Sequence, residues 1–210
     1  MKGTPVNRIL SSVVKVAGSL AVVGGALAAA AAPAGAINPI RAYGVAAQGF
    51  INIPQVAVAT NNFTPATASS FVFPDFVTTG GILDRAKQFQ AYSQVGSVKV
   101  QGFSQVDQLN ASMVSSTCRL SFGGPSFGDA TIQGGSIVAP SVPFFPAIPL
   151  IRNPAPNTVI NLGPLTVTLN KQVVTGSGVN ARLTVTGIYI SIPGQNLSIA
   201  VSRCGSGDVG

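Results

Sequence analysis

The sequence predicts an all-β fold, an antiparallel sandwich or partly open barrel of short strands, with a β-solenoid as the alternative. Three observations predict it. Beyond Tyr92, apolar residues alternate with Thr, Ser and Asn at period 2, which puts them on one face of a strand. Gly, Pro and Asn clusters punctuate these runs as turns. The composition, 46% hydrophobic and 8% charged, is too apolar and too weakly charged for a disordered chain. No fixed repeat period is found, which counts against the solenoid.

The first 36 residues read as a cleaved signal peptide. Lys2, Arg8 and Lys15 form a basic start, Val16–Ala32 is an apolar run, and Ala34-Gly35-Ala36 is a small-x-small cleavage site. Residues 37–210 are then expected to form a single β-rich extracellular domain. No later apolar run is long enough to span a bilayer as a helix. The tail Gly205–Gly210 is short and polar, so covalent attachment through it is not expected.

Taken in order, Ala42–Ile53 predicts a strand bent at Gly44 or Gly49 and ended by Pro54. Val56–Ala59 suggests a further short strand, and Asn61–Pro65 a loop. The aromatic cluster Phe63, Phe71, Phe73 and Phe76 is expected in the core. Ile82–Phe89 has apolar residues at i, i+1, i+4 and i+7, which predicts a short helix. Val95–Phe103 suggests one strand, Val106–Ser121 one or two, and Ala130–Val138 another, with Val114, Cys118 and Leu120 facing inward.

Residues 140–156 form a Pro-rich crossover. Pro140, Pro143, Pro146 and Pro149 recur at the three-residue period of polyproline II. The segment is either a surface rib for a partner or an extended crossover packed by its Phe and Ile side chains. The clearest hairpin follows: Thr158–Leu162 and Leu165–Leu169 alternate around Gly163-Pro164. Ala181–Ile192 and Asn196–Cys204 alternate too, joined at Pro193-Gly194-Gln195.

Cys118 and Cys204 are the only cysteines. An even count behind an export signal predicts a disulfide between them. Closing so long a loop stabilises by roughly 4–5 kcal/mol in the chain-entropy treatment. Downstream of the leader the basic residues are Arg41, Arg85, Lys87, Lys99, Arg119, Arg152, Lys171, Arg182 and Arg203. They form no run along the sequence, so nucleic-acid binding is not expected and solvated surface charge is.

Catalytic chemistry is sparse. Gly124-Pro125-Ser126-Phe127-Gly128 satisfies the G-x-S-x-G pattern, but the chain has no His to take the Ser126 proton. The acids are Asp75, Asp84, Asp107, Asp129 and Asp208, and none sits in a recognisable motif. Zinc and calcium motifs are absent, so no metal or cofactor is expected.

The order Ala42-Tyr43-Gly44, a central Cys118, PNTVINLGPLTVTLNKQ, LTVTGIYISI and a strand ending near Cys204 resembles the secreted actinobacterial domains called choice-of-anchor P. Pro156-Asn157-Thr158, Leu169-Asn170 and Gln172 match that family's pattern, while Lys171 stands where Glu is usual and Thr186-Gly187 replaces Asn-Ala. The resemblance implies an extracytoplasmic β-domain of unassigned function with variable envelope attachment.

The sequence therefore points to a non-catalytic secreted or cell-surface domain with a structural or interaction role. The sequence does not name its partner, for which a cell-envelope component and another surface protein are both open. A hydrolase using Asp residues is one alternative. An envelope pore is another, needing strands of about 9–11 residues with an apolar outer band.

Overall fold

In the computed structural model, residues 40–60, 64–87, 89–102, 108–121, 126–138, 146–177 and 181–205 are described. All of them lie in one compact unit, Gly35–Gly210. The leader expected over 1–36 lies outside the described residues.

The hairpin read from alternation is present: β12 (Thr158–Leu162) pairs with β13 (Leu165–Thr175), with Leu162 opposite Leu165. Gly163 supplies the φ of 64° that the two-residue turn demands. From β13 the first sheet continues through β14 (Arg182–Ile192) and β15 (Gln195–Gly205), joined by the Pro193-Gly194 turn. It then takes in β1 (Arg41–Gly49), β2 (Ile53–Val56) and β3 (Ala59–Thr60). All pairings are antiparallel.

The second sheet is centred on three long strands, β8 (Gln90–Gln101), β9 (Gln108–Arg119) and β10 (Phe127–Val138). On one side β10 pairs with β11 (Ile148–Pro149). On the other, β8 pairs with β7 (Ile82–Lys87) along its first half and with β6 (Val77–Thr79) along its second. β5 (Phe71–Phe73) joins β6, and β4 (Ala66–Ala68) joins β7.

The two sheets enclose one large apolar cluster, and a smaller one lies at the disulfide level. Neither sheet closes on itself among the described residues. The molecule is thus an all-β antiparallel sandwich. Seven strands run 9–12 residues, long enough for a membrane barrel. Strand length therefore does not argue against a pore, and among the described residues apolar side chains from both sheets pack between them.

Each central strand changes its inward parity once. β8 buries Ala91, Ser93 and Val95, then Val98 and Val100; β9 buries Leu109 and Ala111, then Val114, Ser116 and Cys118. β14 buries Leu183 and Val185, then Ile188 and Ile190. The slips line up across each sheet. In β8, β10, β13 and β15 they fall at a residue of positive φ, Ser97 (46°), Gly134 (52°), Asn170 (49°) and Ala200 (53°), which turns the strand over by half a period, whereas β9 and β14 slip without one. Neighbouring strands slip at the same level, so the pairing register is the same on both sides of the slip.

The helix expected over Ile82–Phe89 is replaced by β7, in which Ile82, Asp84 and Ala86 are buried and Arg85 and Lys87 exposed. So few residues cannot sustain a helix without packing, and pairing with β8 satisfies their backbone instead. Phe76 is core, and Phe71 and Phe73 pack against it, with the Phe73 and Phe76 rings edge to face at 6.2 Å. Phe63 lies outside the described residues, as do Pro140, Pro143, Phe144 and Phe145. Of the Pro-rich segment, residues 146–156 are described: Ile148–Pro149 form β11, Leu150 and Pro154 are buried, and Ile151 is exposed. The Leu150 amide donates to the Gly135 carbonyl (2.9 Å), and the Ile132 amide donates to the Arg152 carbonyl (2.7 Å).

Candidate functional site

Cys118 of β9 and Cys204 of β15 are joined by a disulfide with Cα atoms 5.8 Å apart, and both are fully buried. It ties the two sheets together at one end. Alternation then decides what faces outward beside it. A buried Cys118 turns Arg119 out, and a buried Cys204 turns Arg203 out.

The pairing register adds more cations at the same level. Arg41 of β1 stands directly opposite Arg203, and Arg182 of β14 opposite Gly205. On the other sheet Lys87, Gln90, Arg119 and Phe127 form one continuous row. Arg85 lies two residues before Lys87 on the same face of β7. Six basic residues thus lie at the disulfide level, Arg41, Arg182 and Arg203 on the outer face of the first sheet and Arg85, Lys87 and Arg119 on that of the second. They are surface charges, as the sequence predicts, and five strands, β1, β7, β9, β14 and β15, bring them to this level. The one acid among the described residues on these outer faces is Asp129, whose carboxylate accepts from the Ala130 amide at 2.8 Å.

An open depression of about 440 Å³ lies on the outer face of β7 and β8. Three cross-strand pairs line it: Leu83 with Gln94, Arg85 with Tyr92, and Lys87 with Gln90. The Tyr92 hydroxyl donates to Gln94 Oε1. Partial burial raises the Tyr92 pKa, and the Arg85 charge opposes the rise. On the outer face of the first sheet a second depression, about 550 Å³, contains Tyr43, Tyr189, Asn196 and Ser198. There the Tyr189 hydroxyl donates to Asn196 Oδ1 (2.8 Å), and the Lys171 ammonium sits 3.1 Å from the centroid of the Tyr189 ring. Burial raises the Tyr43 pKa as well, against the charges of Arg41 and Arg203.

Inside the sandwich a polar row separates the two apolar clusters. Asp84, Ser93 and Ser116 face one another across β7, β8 and β9. All three are buried, as is Ser202 in the facing sheet. The row above is Ile82, Val95 and Val114, and the row below is Ala86, Ala91 and Cys118. Burial pushes the Asp84 carboxyl up to about 8, although nearby Ser93 and the Gly44 backbone favour its charged form.

The described acids do not converge. Asp84 faces the interior, Asp129 the outer face of β10, and Asp75 an exposed turn at φ 57°. Asp107 and Asp208 lie outside the described residues. Among the described residues no three His, Cys, Asp or Glu side chains cluster as metal ligands. Ser126 stands just before β10, so the G-x-S-x-G pattern runs into a strand where a nucleophile elbow needs a helix.

The residues that carry the family resemblance do converge. Asn170 Nδ2 donates to the Pro154 carbonyl (2.9 Å), and the Asn157 amide donates to the Asn170 carbonyl (2.9 Å). The Gln172 amide donates to Asn157 Oδ1 (2.9 Å), and Gln172 Nε2 donates to Asn170 Oδ1 (3.0 Å) and to the Gly128 carbonyl of β10 (2.9 Å). This network fastens the crossover and the second sheet to β13. No protein-family model, no curated protein and no solved structure matches the chain.

Proposed function

We propose that this chain is a non-catalytic secreted or cell-surface β-domain with a structural or interaction role. The observation that carries the reading is the cationic end beside the β7–β8 depression, where Arg85, Lys87 and Arg119 share one outer face. Several features support it. The N-terminal residues have the pattern of an export signal, and the disulfide suits an oxidising compartment. The likeness to choice-of-anchor P domains points the same way, since its marker residues Asn157, Asn170 and Gln172 act together as a staple. The described acids lie on different faces, so an Asp-based hydrolase gains no support from them.

Fractionation of the producing cell tests the proposal. Recovery of a protein shortened at its N-terminus from the medium, wall or membrane fraction is expected. Recovery of the full-length, reduced chain from the cytosol would overturn it.

A further inference from the structure

We infer that the β7–β8 depression, extended by Arg119, binds an anionic carbohydrate that carries carboxylate or phosphate groups at intervals along its length. The inference deepens the interaction role proposed above and rests on it.

Three cations project from one outer face. Arg85 and Lys87 are alternate residues of β7, about 7 Å apart along the strand. Lys87 and Arg119 share a row but are two strands apart, about 10 Å at the usual strand spacing. Charges so spaced do not converge on one phosphate. They suit a ligand whose own charges repeat.

What lies among the cations sets the rest of the chemistry. Gln90 and Gln94 each offer a carbonyl oxygen and an NH₂ group, which suit hydroxyls that both donate and accept. Tyr92 and the exposed Phe127, which is opposite Arg119, add ring surface for the apolar face of a sugar. A bare inorganic anion would leave these groups without a role.

The field of the end favours the same class. Arg41 opposite Arg203 sets like charges side by side, an arrangement that costs stability in a sheet. With Arg182 they add three cations on the outer face of the first sheet at the same level, and an excess of like charge draws anionic polymers in. Nucleic acid is also a polyanion. The neutral amides inside the depression and the export signal favour carbohydrate over it.

The test uses the purified full chain and four probes: polygalacturonate, phosphorylated dextran, neutral dextran and oligothymidylate. Binding is followed by calorimetry at two salt concentrations. Either acidic polymer is expected to bind, more weakly at high salt, and neutral dextran is not. Preference for polygalacturonate assigns the carboxylate, and preference for phosphorylated dextran the phosphate. The triple variant Arg85→Gln, Lys87→Gln, Arg119→Gln should weaken binding at least ~10-fold. A control, Lys99→Gln with Arg152→Gln, removes exposed charge elsewhere and should change it less than ~2-fold. Arg119→Gln alone, with its thermal midpoint measured, guards against a folding defect in the triple.

Equal losses in triple and control would overturn the inference and leave only diffuse attraction. So would tighter binding to oligothymidylate, or no binding to either acidic polymer. None of these outcomes depends on where the cell places the protein, so fractionation and binding fail separately.

Discussion

Asp84 stands opposite Ser93 in the buried row between the sheets, and the Ser93 hydroxyl donates to the Tyr43 carbonyl 3.0 Å away. With its proton given to Tyr43, that serine does little to hold a charge on Asp84. Burial therefore prevails and pushes the carboxyl up to about 8.

Stability should fall as the pH rises. The folded chain keeps the Asp84 proton up to about pH 8, whereas the unfolded chain gives it up near 3.8. Between those values the folded state binds more protons, so raising the pH favours unfolding by up to about 1.4 kcal/mol per unit. From pH 5 to 8 the loss is on the order of 4 kcal/mol. Asp84→Asn keeps the shape and removes the titration. Urea unfolding at both pH values should show the wild type weaker at pH 8 and the variant nearly flat. Equal slopes in the two proteins would refute the assignment.

Asn170 can be dissected by two substitutions. It sits at φ 49° and donates to the Pro154 carbonyl. Asn170→Ala loses the bond and also forces an alanine into the left-handed region. Asn170→Gly loses the same bond without that strain. Both should destabilise, by about 1–3 kcal/mol for the lost partner, and alanine should cost roughly 1 kcal/mol more than glycine. Denaturant midpoints of the pair give the comparison. If alanine proves the milder change, the backbone at 170 does not need the left-handed conformation.

How much of this could be read beforehand depended on whether the signal was local. The hairpin from Thr158 to Leu169 was legible because alternation and its Gly163 turn lie in one stretch. Even the parity slip shows in the β14 sequence, where Leu183 and Val185 give way to Ile188 and Ile190. β7 was misread because Ile82, Leu83, Ala86 and Phe89 fit a helical face as well as a strand. Asp84, an acid at the inward position between Ile82 and Ala86, interrupts the apolar period-2 pattern that would have marked the strand. The cationic end was invisible, because Arg41 stands beside Arg203 and Lys87 in a row with Arg119 only through sheet order.

The disulfide should contribute substantially to stability. It closes a separation of 86 residues, and the chain-entropy treatment gives roughly 4–5 kcal/mol for such a loop. Reduction, or the double change Cys118→Ala with Cys204→Ala, should lower the unfolding free energy by about 2–5 kcal/mol. Guanidinium unfolding with and without reductant measures it. A reduced protein as stable as the oxidised one would mean that the crosslink constrains little of the unfolded chain.

The sheets approach each other closely where Gly187 of β14 faces Val114 of β9. A Cβ added at 187 would lie 2.5 Å from Val114 Cγ1. Val114 is fully buried in the large cluster, so it has little room to retreat. Gly187→Ala should therefore cost about 1–3 kcal/mol through overpacking. Val114→Ala should also destabilise, by opening space at that spot. Combined, the added methyl occupies part of the space that the valine vacates. The double variant should be more stable than the sum of the single losses by about 0.5–3 kcal/mol, the range for contacting residues. The relief is incomplete, because the Ile199 carbonyl oxygen is 3.3 Å from the same Cβ position and cannot be trimmed. Strictly additive losses in a denaturation cycle would show that the sheets separate at this level to admit the methyl.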